Sequence, residues 1–104
     1  MRRGEVWWVN FPAPIGRRPA VLVSRDQAYR VRSAVTVVPI TRTIRNIPAE
    51  VLLGPADGIR HKSVANADTV TTIPKGLLVE YLTTLSTPKL QALDQALKFS
   101  LDLS

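Results

Sequence analysis

Proline and glycine fix where regular structure can run in this chain. Seven of the eight prolines and all five glycines fall within residues 1–76. Proline removes a backbone donor and glycine frees the chain to turn, so each tends to end or bend a regular element. The stretches left between them are rich in β-branched and aromatic residues, which suits short strands. Beyond Pro74-Lys75-Gly76 only Pro88 interrupts, and there the apolar residues take up a helical period.

Glu5-Val6-Trp7-Trp8-Val9-Asn10-Phe11 reads as a strand bounded by Gly4 and Pro12, followed by a loop marked by Pro12, Pro14 and Gly16. Pro19–Ser24 and Ala34–Ile40 are apolar runs of strand length. Both read as covered on two faces, as in a barrel interior or a dimer interface. Thr41–Pro48 reads as a loop, and Glu50–Leu53 as a short strand closed by Gly54-Pro55 and Asp57-Gly58. Ser63–Thr72 is expected to be one strand. Leu77–Thr84 fits a strand or a short helix, with strand favoured for Glu80–Thr84.

In the tail, Ser86 or Thr87 can cap a helix, and Pro88 sits in its first turn, where a missing N–H does no harm. Leu90, Leu93, Leu97 and Leu101 then share one face, with Lys89, Gln91, Asp94, Gln95 and Lys98 on the other. The expectation is a single α+β domain over residues 1–104. It would be a small, partly open barrel of short, mostly antiparallel strands, with a C-terminal helix laying its leucine stripe on the sheet.

A chain of 104 residues that is 45% hydrophobic has room for one domain with a real core, which excludes wholesale disorder. It has no cysteine, so disulfides, thiolate nucleophiles and cysteine-based zinc sites are excluded together. No apolar run approaches the roughly 18 residues of a membrane span. Met1-Arg2-Arg3 leads into Gly4-Glu5 and not into the apolar stretch of a signal peptide, so a cytoplasmic protein without membrane attachment is expected.

The net charge of +6 is unevenly spread. Residues 1–62 hold 11 basic and 4 acidic side chains, a balance of +7, whereas residues 63–104 hold 3 and 4, a balance of −1. Ten of those 11 basic residues are arginine, the better side chain for bidentate contact with phosphate. Such a face suits a polyanion; a merely solvated basic surface is the competing account.

The inventory for catalysis is short. No glycine-rich phosphate loop and no carboxylate or histidine pair at metal-ligand spacing is present, so no metal or other cofactor is expected. His61 is the one side chain that ordinarily titrates near neutrality, yet it stands between Arg60 and Lys62 in a basic loop and reads as an exposed loop histidine. Arg18 is held toward an extended backbone by Pro19, which fixes its direction at a strand opening and suits a phosphate clamp. Thr41 ends the run Val37-Val38-Pro39-Ile40, where its hydroxyl can donate to a phosphate oxygen or bond its own backbone. Asp68 is an acid within an apolar strand segment, equally readable as a structural carboxylate or a site group. Trp7 and Trp8 face opposite sides of their strand, one as core and the other free to stack on a base or fill a dimer interface.

Taken in order, five segments carry a resemblance. They are Arg3-Gly4-Glu5-Val6-Trp7, Arg18-Pro19-Ala20-Val21-Leu22-Val23, Val37-Val38-Pro39-Ile40-Thr41, Lys62-Ser63-Val64-Ala65-Asn66-Ala67-Asp68, and Leu85-Ser86 before the leucine-striped helix. The set, covering essentially the whole chain, resembles the MazF/PemK (Kid-like) family, the endoribonuclease toxins of type II toxin–antitoxin systems. The resemblance implies an SH3-like barrel with a C-terminal helix, acting as a homodimer. It implies metal-independent cleavage of single-stranded RNA, such as mRNA, at short sequence motifs, leaving a 2′,3′-cyclic phosphate and a 5′-hydroxyl. It also implies a cognate antitoxin that lays a disordered acidic segment over the RNA groove.

By the same resemblance, Arg18 and Thr41 are the catalytic pair, and Arg17, Arg42, Arg45 and Asp68 are expected to meet RNA. Asp68 matches an aspartate that takes part in catalysis in Kid-like members, but the accompanying arginine position holds Asn66, so the sequence fits the Arg/Thr version better. Two further departures are a short Asn10–Arg17 loop and threonines at 69 and 71, where glutamine and a basic residue are common. The same fold also serves a toxin that acts on DNA gyrase, and a small barrel can be a non-catalytic RNA-binding module; both stand as alternatives.

Overall fold

Seven strands and two helices follow one another in a computed structural model that describes every residue from Met1 to Ser104. They are β1 (Glu5–Asn10), β2 (Arg17–Leu22), α1 (Ala28–Val31), β3 (Ala34–Thr41), β4 (Glu50–Leu53), β5 (Ser63–Asn66), β6 (Thr71–Pro74), β7 (Leu78–Thr84) and α2 (Thr87–Ser100). Every strand pairing is antiparallel, in the order β4-β5-β3-β2-β1-β7, with β6 also on β3. The curled sheet with its terminal helix is the expected α+β open barrel.

β3 is the hub, because its length lets it change partners. Ala34–Val37 pair with β6, Val37–Pro39 with β2, and Ile40–Thr41 with β5. Strand alternation sorts the side chains into two clusters. Val6, Val21, Val38 and Ile40 point to one face, under Leu93 and Ala96 of α2. Val9, Ala20, Leu22, Val35 and Val37 point to the other, with Phe11, Tyr29 and Ile73. The apolar run of β3 is therefore interior to this one chain, the first of the two readings its sequence allowed.

α2 forms as its signals dictate: the Ser86 hydroxyl accepts from the Lys89 N–H at 3.4 Å, and proline stands in the first turn. Its buried face differs from the expected stripe. Leu93 and Ala96 are fully covered, Leu90 and Leu97 only partly, and Leu101 lies past the helix end, 52% exposed. The short connection from β7 sets this rotation, with Lys89 donating to the Leu52 carbonyl at 2.6 Å.

Three other expectations change. Ser63–Thr72 is two strands separated by a 3-10 turn over Ala67–Thr69, because the Asn66 side chain accepts from the Asp68 N–H and Thr69 donates to the Asn66 carbonyl. Asp68 is thereby an exposed turn residue, not one inside a strand. β7 begins at Leu78, earlier than expected. Neither tryptophan is core; both are half-buried. No helix is long and apolar enough to cross a membrane.

Candidate active site

Register brings Arg18 and Thr41 to the same two cavities. β2 and β3 pair Leu22 with Val37, Val21 with Val38 and Ala20 with Pro39. Continued by two residues, the same register sets Arg18 across from Thr41, and residues directly opposite share a face. At Thr41 the strand has already turned to its next partner, Val64 of β5. The backbone therefore splays here, and a concavity opens on either side.

The first cavity, of about 720 Å³, is floored by Trp8, Pro19, Ile40 and Leu82 and rimmed by Arg17, Arg42, Arg60 and His61. The second, of about 710 Å³, runs over Phe11, Pro39, Ile73 and Leu77 and carries Arg45, Asn66, Thr71 and Thr72. Arg18, Thr41 and Thr43 line both and form the wall between them. Neither cavity contains a carboxylate.

This arrangement has an electrostatic consequence. The chain's three ion pairs are Arg3 with Asp94, Arg17 with Glu80 and Lys89 with Asp57. The guanidiniums of Arg18, Arg42, Arg45 and Arg60 are in none of these pairs, although the Glu50 carboxylate accepts the Arg45 backbone N–H at 3.0 Å, so their charge is left for a ligand. Arg18 is also half-buried, where a charge is screened less than on open surface. The Thr41 hydroxyl accepts the Thr43 N–H at 3.2 Å. That contact uses an oxygen lone pair and leaves the hydroxyl proton free to donate across the wall.

The residues singled out from sequence thus separate into groups. Arg17 and Arg42 border the first cavity, and Arg45 the second. Arg17 is not free: its guanidinium lies 5.0 Å from the Trp8 ring centroid and 3.2 Å from the Glu80 carboxylate. Asp68 lines neither cavity, and its carboxylate accepts from the Ser100 hydroxyl at 2.6 Å, tying the 3-10 turn to the end of α2. His61 is exposed on the rim of the first cavity, and its carbonyl accepts from the Ser63 hydroxyl. Sequence reasoning missed Thr43, Arg60 and Thr72, and named Thr71 only as a departure from the family pattern. The alternation of Thr41 with Thr43 was an available signal for the first; the others reach the site only through the fold.

Comparison with known proteins agrees along the whole chain. Residues 2–101 match the family model of PemK-like, MazF-like toxins of type II toxin–antitoxin systems. A probable endoribonuclease MazF5 of Mycobacterium tuberculosis is 43% identical over 104 residues, spanning 98% of this chain and 94% of that protein. Among solved structures, the Mycobacterium tuberculosis toxin MazF-mt6 superposes with a TM-score of 0.89 at 27% identity, over 96% of this chain and 98% of that one. A mycobacterial endoribonuclease solved in complex with its cognate antitoxin superposes with a TM-score of 0.88 at 31% identity, over 100% and 97%. The chain belongs to the PemK-like, MazF-like family of type II toxin–antitoxin toxins.

Proposed function

We propose that this chain is an endoribonuclease toxin that cuts single-stranded RNA at short sequence motifs without a metal ion. The observation that carries the reading is the shared wall: Arg18 beside Thr41, between two cavities that hold arginines and threonines but no carboxylate. A strand laid across the wall would place one phosphate against Arg18 and its flanking nucleotides in the two cavities. The donor set favours phosphate over a divalent cation, which seeks carboxylate oxygens.

The step is attack of a ribose 2′-oxygen on the adjacent phosphorus. The 2′-O–P bond forms, the P–O5′ bond breaks, and the products are a 2′,3′-cyclic phosphate and a 5′-hydroxyl. Arg18 stabilises the charge that builds on the phosphorane, the kind of term that is usually largest. Thr41 donates to a non-bridging oxygen. A guanidinium hardly ever loses its proton, so Arg18 is not assigned as the base. The 2′ proton passes to water or a phosphate oxygen, and the departing 5′-oxygen gains one from solvent.

Two partners follow from the same reading. An acidic antitoxin segment would cover the arginines left outside the ion pairs by charge complementarity; a mycobacterial relative is solved in complex with its cognate antitoxin. A second copy of the chain would cover Phe99, Leu101 and Leu103, which stand exposed at the end of α2. Incubation with a long RNA in EDTA is the test. Discrete cuts support the proposal. Retardation without cuts points to a binding module, and neither outcome leaves the gyrase-directed class.

A further inference from the structure

Trp8 has an indole face that the fold leaves toward the first cavity, and one movable side chain covers it. In the β-ladders Trp8 stands opposite Pro19 of β2 and opposite Glu80 of β7. Arg17, two residues before Pro19, is its diagonal neighbour on the same face. Its guanidinium lies over the ring at 5.0 Å and reaches Glu80 at 3.2 Å. Trp7 is placed otherwise. Its N–H donates to Glu5 at 2.9 Å, its ring packs against the second apolar cluster, and Tyr81 meets it edge-on at 6.1 Å.

We propose that Trp8 is the stacking platform for a nucleobase next to the scissile phosphate, and that Arg17, held by Glu80, is the cover which that base displaces. This rests on the RNA-cleaving reading above and names a subsite for it. An indole face takes any base, so its contribution is affinity and placement more than base identity. The cover is easily moved, because the Arg17 and Glu80 side chains are 48% and 66% exposed, and ion pairs so open to water contribute little. Displacement is not a net loss of contact. An Arg17 freed from the ring stands beside Arg18 and Arg42 on the cavity rim, where the incoming strand brings phosphate. In the free protein the guanidinium keeps a large apolar face out of water.

The test uses an oligonucleotide spanning a mapped cut, with 2′-deoxyribose at the cut to stop cleavage. A base is removed from one flanking nucleotide at a time, and binding is measured for wild type, Trp8→Leu and Trp8→Phe. In wild type, abasic substitution at one flank should weaken binding by about tenfold or more. In Trp8→Leu the same substitution should change binding by less than about twofold, and Trp8→Phe should recover most of the sensitivity. Equal abasic penalties in wild type and Trp8→Leu would overturn the proposal while leaving RNA cleavage intact. Should Trp8→Leu not fold, Trp7→Phe leaves Trp8 as the one tryptophan. Its emission should fall on binding the intact oligonucleotide and stay unchanged on binding the abasic one; no quenching overturns the assignment. A chain that neither cuts nor binds any RNA takes down the functional reading itself.

Discussion

Arg18 and Thr41 each lie two residues beyond Ala20 and Pro39, the last pair of the β2–β3 ladder, and both line each of two arginine-rimmed cavities. Neither belongs to either apolar cluster. Arg18→Ala and Thr41→Ala should therefore melt close to wild type while losing cleavage. Arg18→Ala should cost about a hundredfold or more, since a preorganised charge partner is worth about 3 kcal/mol in the transition state. Thr41→Ala should cost less, and Thr41→Ser should recover activity because it keeps the hydroxyl. His61→Ala should stay active. A folded Arg18→Ala protein that cuts at the wild-type rate would remove the site assignment.

A second prediction concerns alkaline pH. Tyr29 is 6% exposed, and burial pushes its phenol from 10.0 up to about 12; its hydroxyl donates to the Ser24 carbonyl at 3.1 Å, a bond that only the protonated form makes. The folded chain thus keeps a proton that the unfolded chain gives up above pH 10. The stabilisation is fully present below pH 10 and is lost as pH rises through 12, by about 1.4 kcal/mol per pH unit at its steepest. Tyr29→Phe should lack this slope. At pH 7 it should be less stable by about 1 kcal/mol for the lost hydrogen bond. Urea unfolding at pH 8 and pH 11 should show the gap between the two proteins closing or reversing.

What the sequence could reveal depended on how local each cause is. Pro19 and Pro88 act on their own neighbours, so the extended approach to β2 and the start of α2 were readable directly. The break after Asn66 was readable in principle, since asparagine, aspartate and threonine in Asn66-Ala67-Asp68-Thr69 are turn-formers that bond nearby backbone. The apolar Val64 and Val70 on either side gave instead the look of one strand. The rotation of α2 was not readable, because the alternatives of a Leu101 or an Ala96 face differ only in how β7 delivers the helix. Nor was the second cavity, which exists because β6 returns to β3 far along the chain. The resemblance supplied Arg18 and Thr41 as a pair, but their placement on a wall common to two cavities came from the register.

The oligomeric state can be tested at the end of α2. Phe99, Leu101 and Leu103 are 59%, 52% and 59% exposed within a few residues of one another. A cluster of that kind on so small a chain favours a partner surface. Light scattering at micromolar concentration should give about twice 11.5 kDa. Phe99→Glu with Leu101→Glu should shift the mass toward the monomer without unfolding it, since neither side chain is part of the core. A wild-type mass near 11.5 kDa would count against the dimer.

The chemistry itself can be separated from binding by one atom. If an internal 2′-oxygen is the nucleophile, replacing the ribose 5′ of the cut by deoxyribose removes it and leaves every phosphate in place. Binding to the arginine-lined wall should then survive while cutting stops, in EDTA as in its absence. Binding should also weaken steeply with added salt. The guanidiniums of Arg18, Arg42, Arg45 and Arg60 are in no ion pair, so each phosphate contact they make releases about one condensed cation. Neutralising any one of them by glutamine should lower the slope of log affinity against log salt by about one contact's worth, roughly 0.7 for a single strand. The decisive comparison is the singly deoxy-substituted oligonucleotide beside its all-RNA parent. If the substituted strand is still cut at that bond, the attacking oxygen comes from elsewhere, and Arg18 and Thr41 would have to be stabilising attack by water instead.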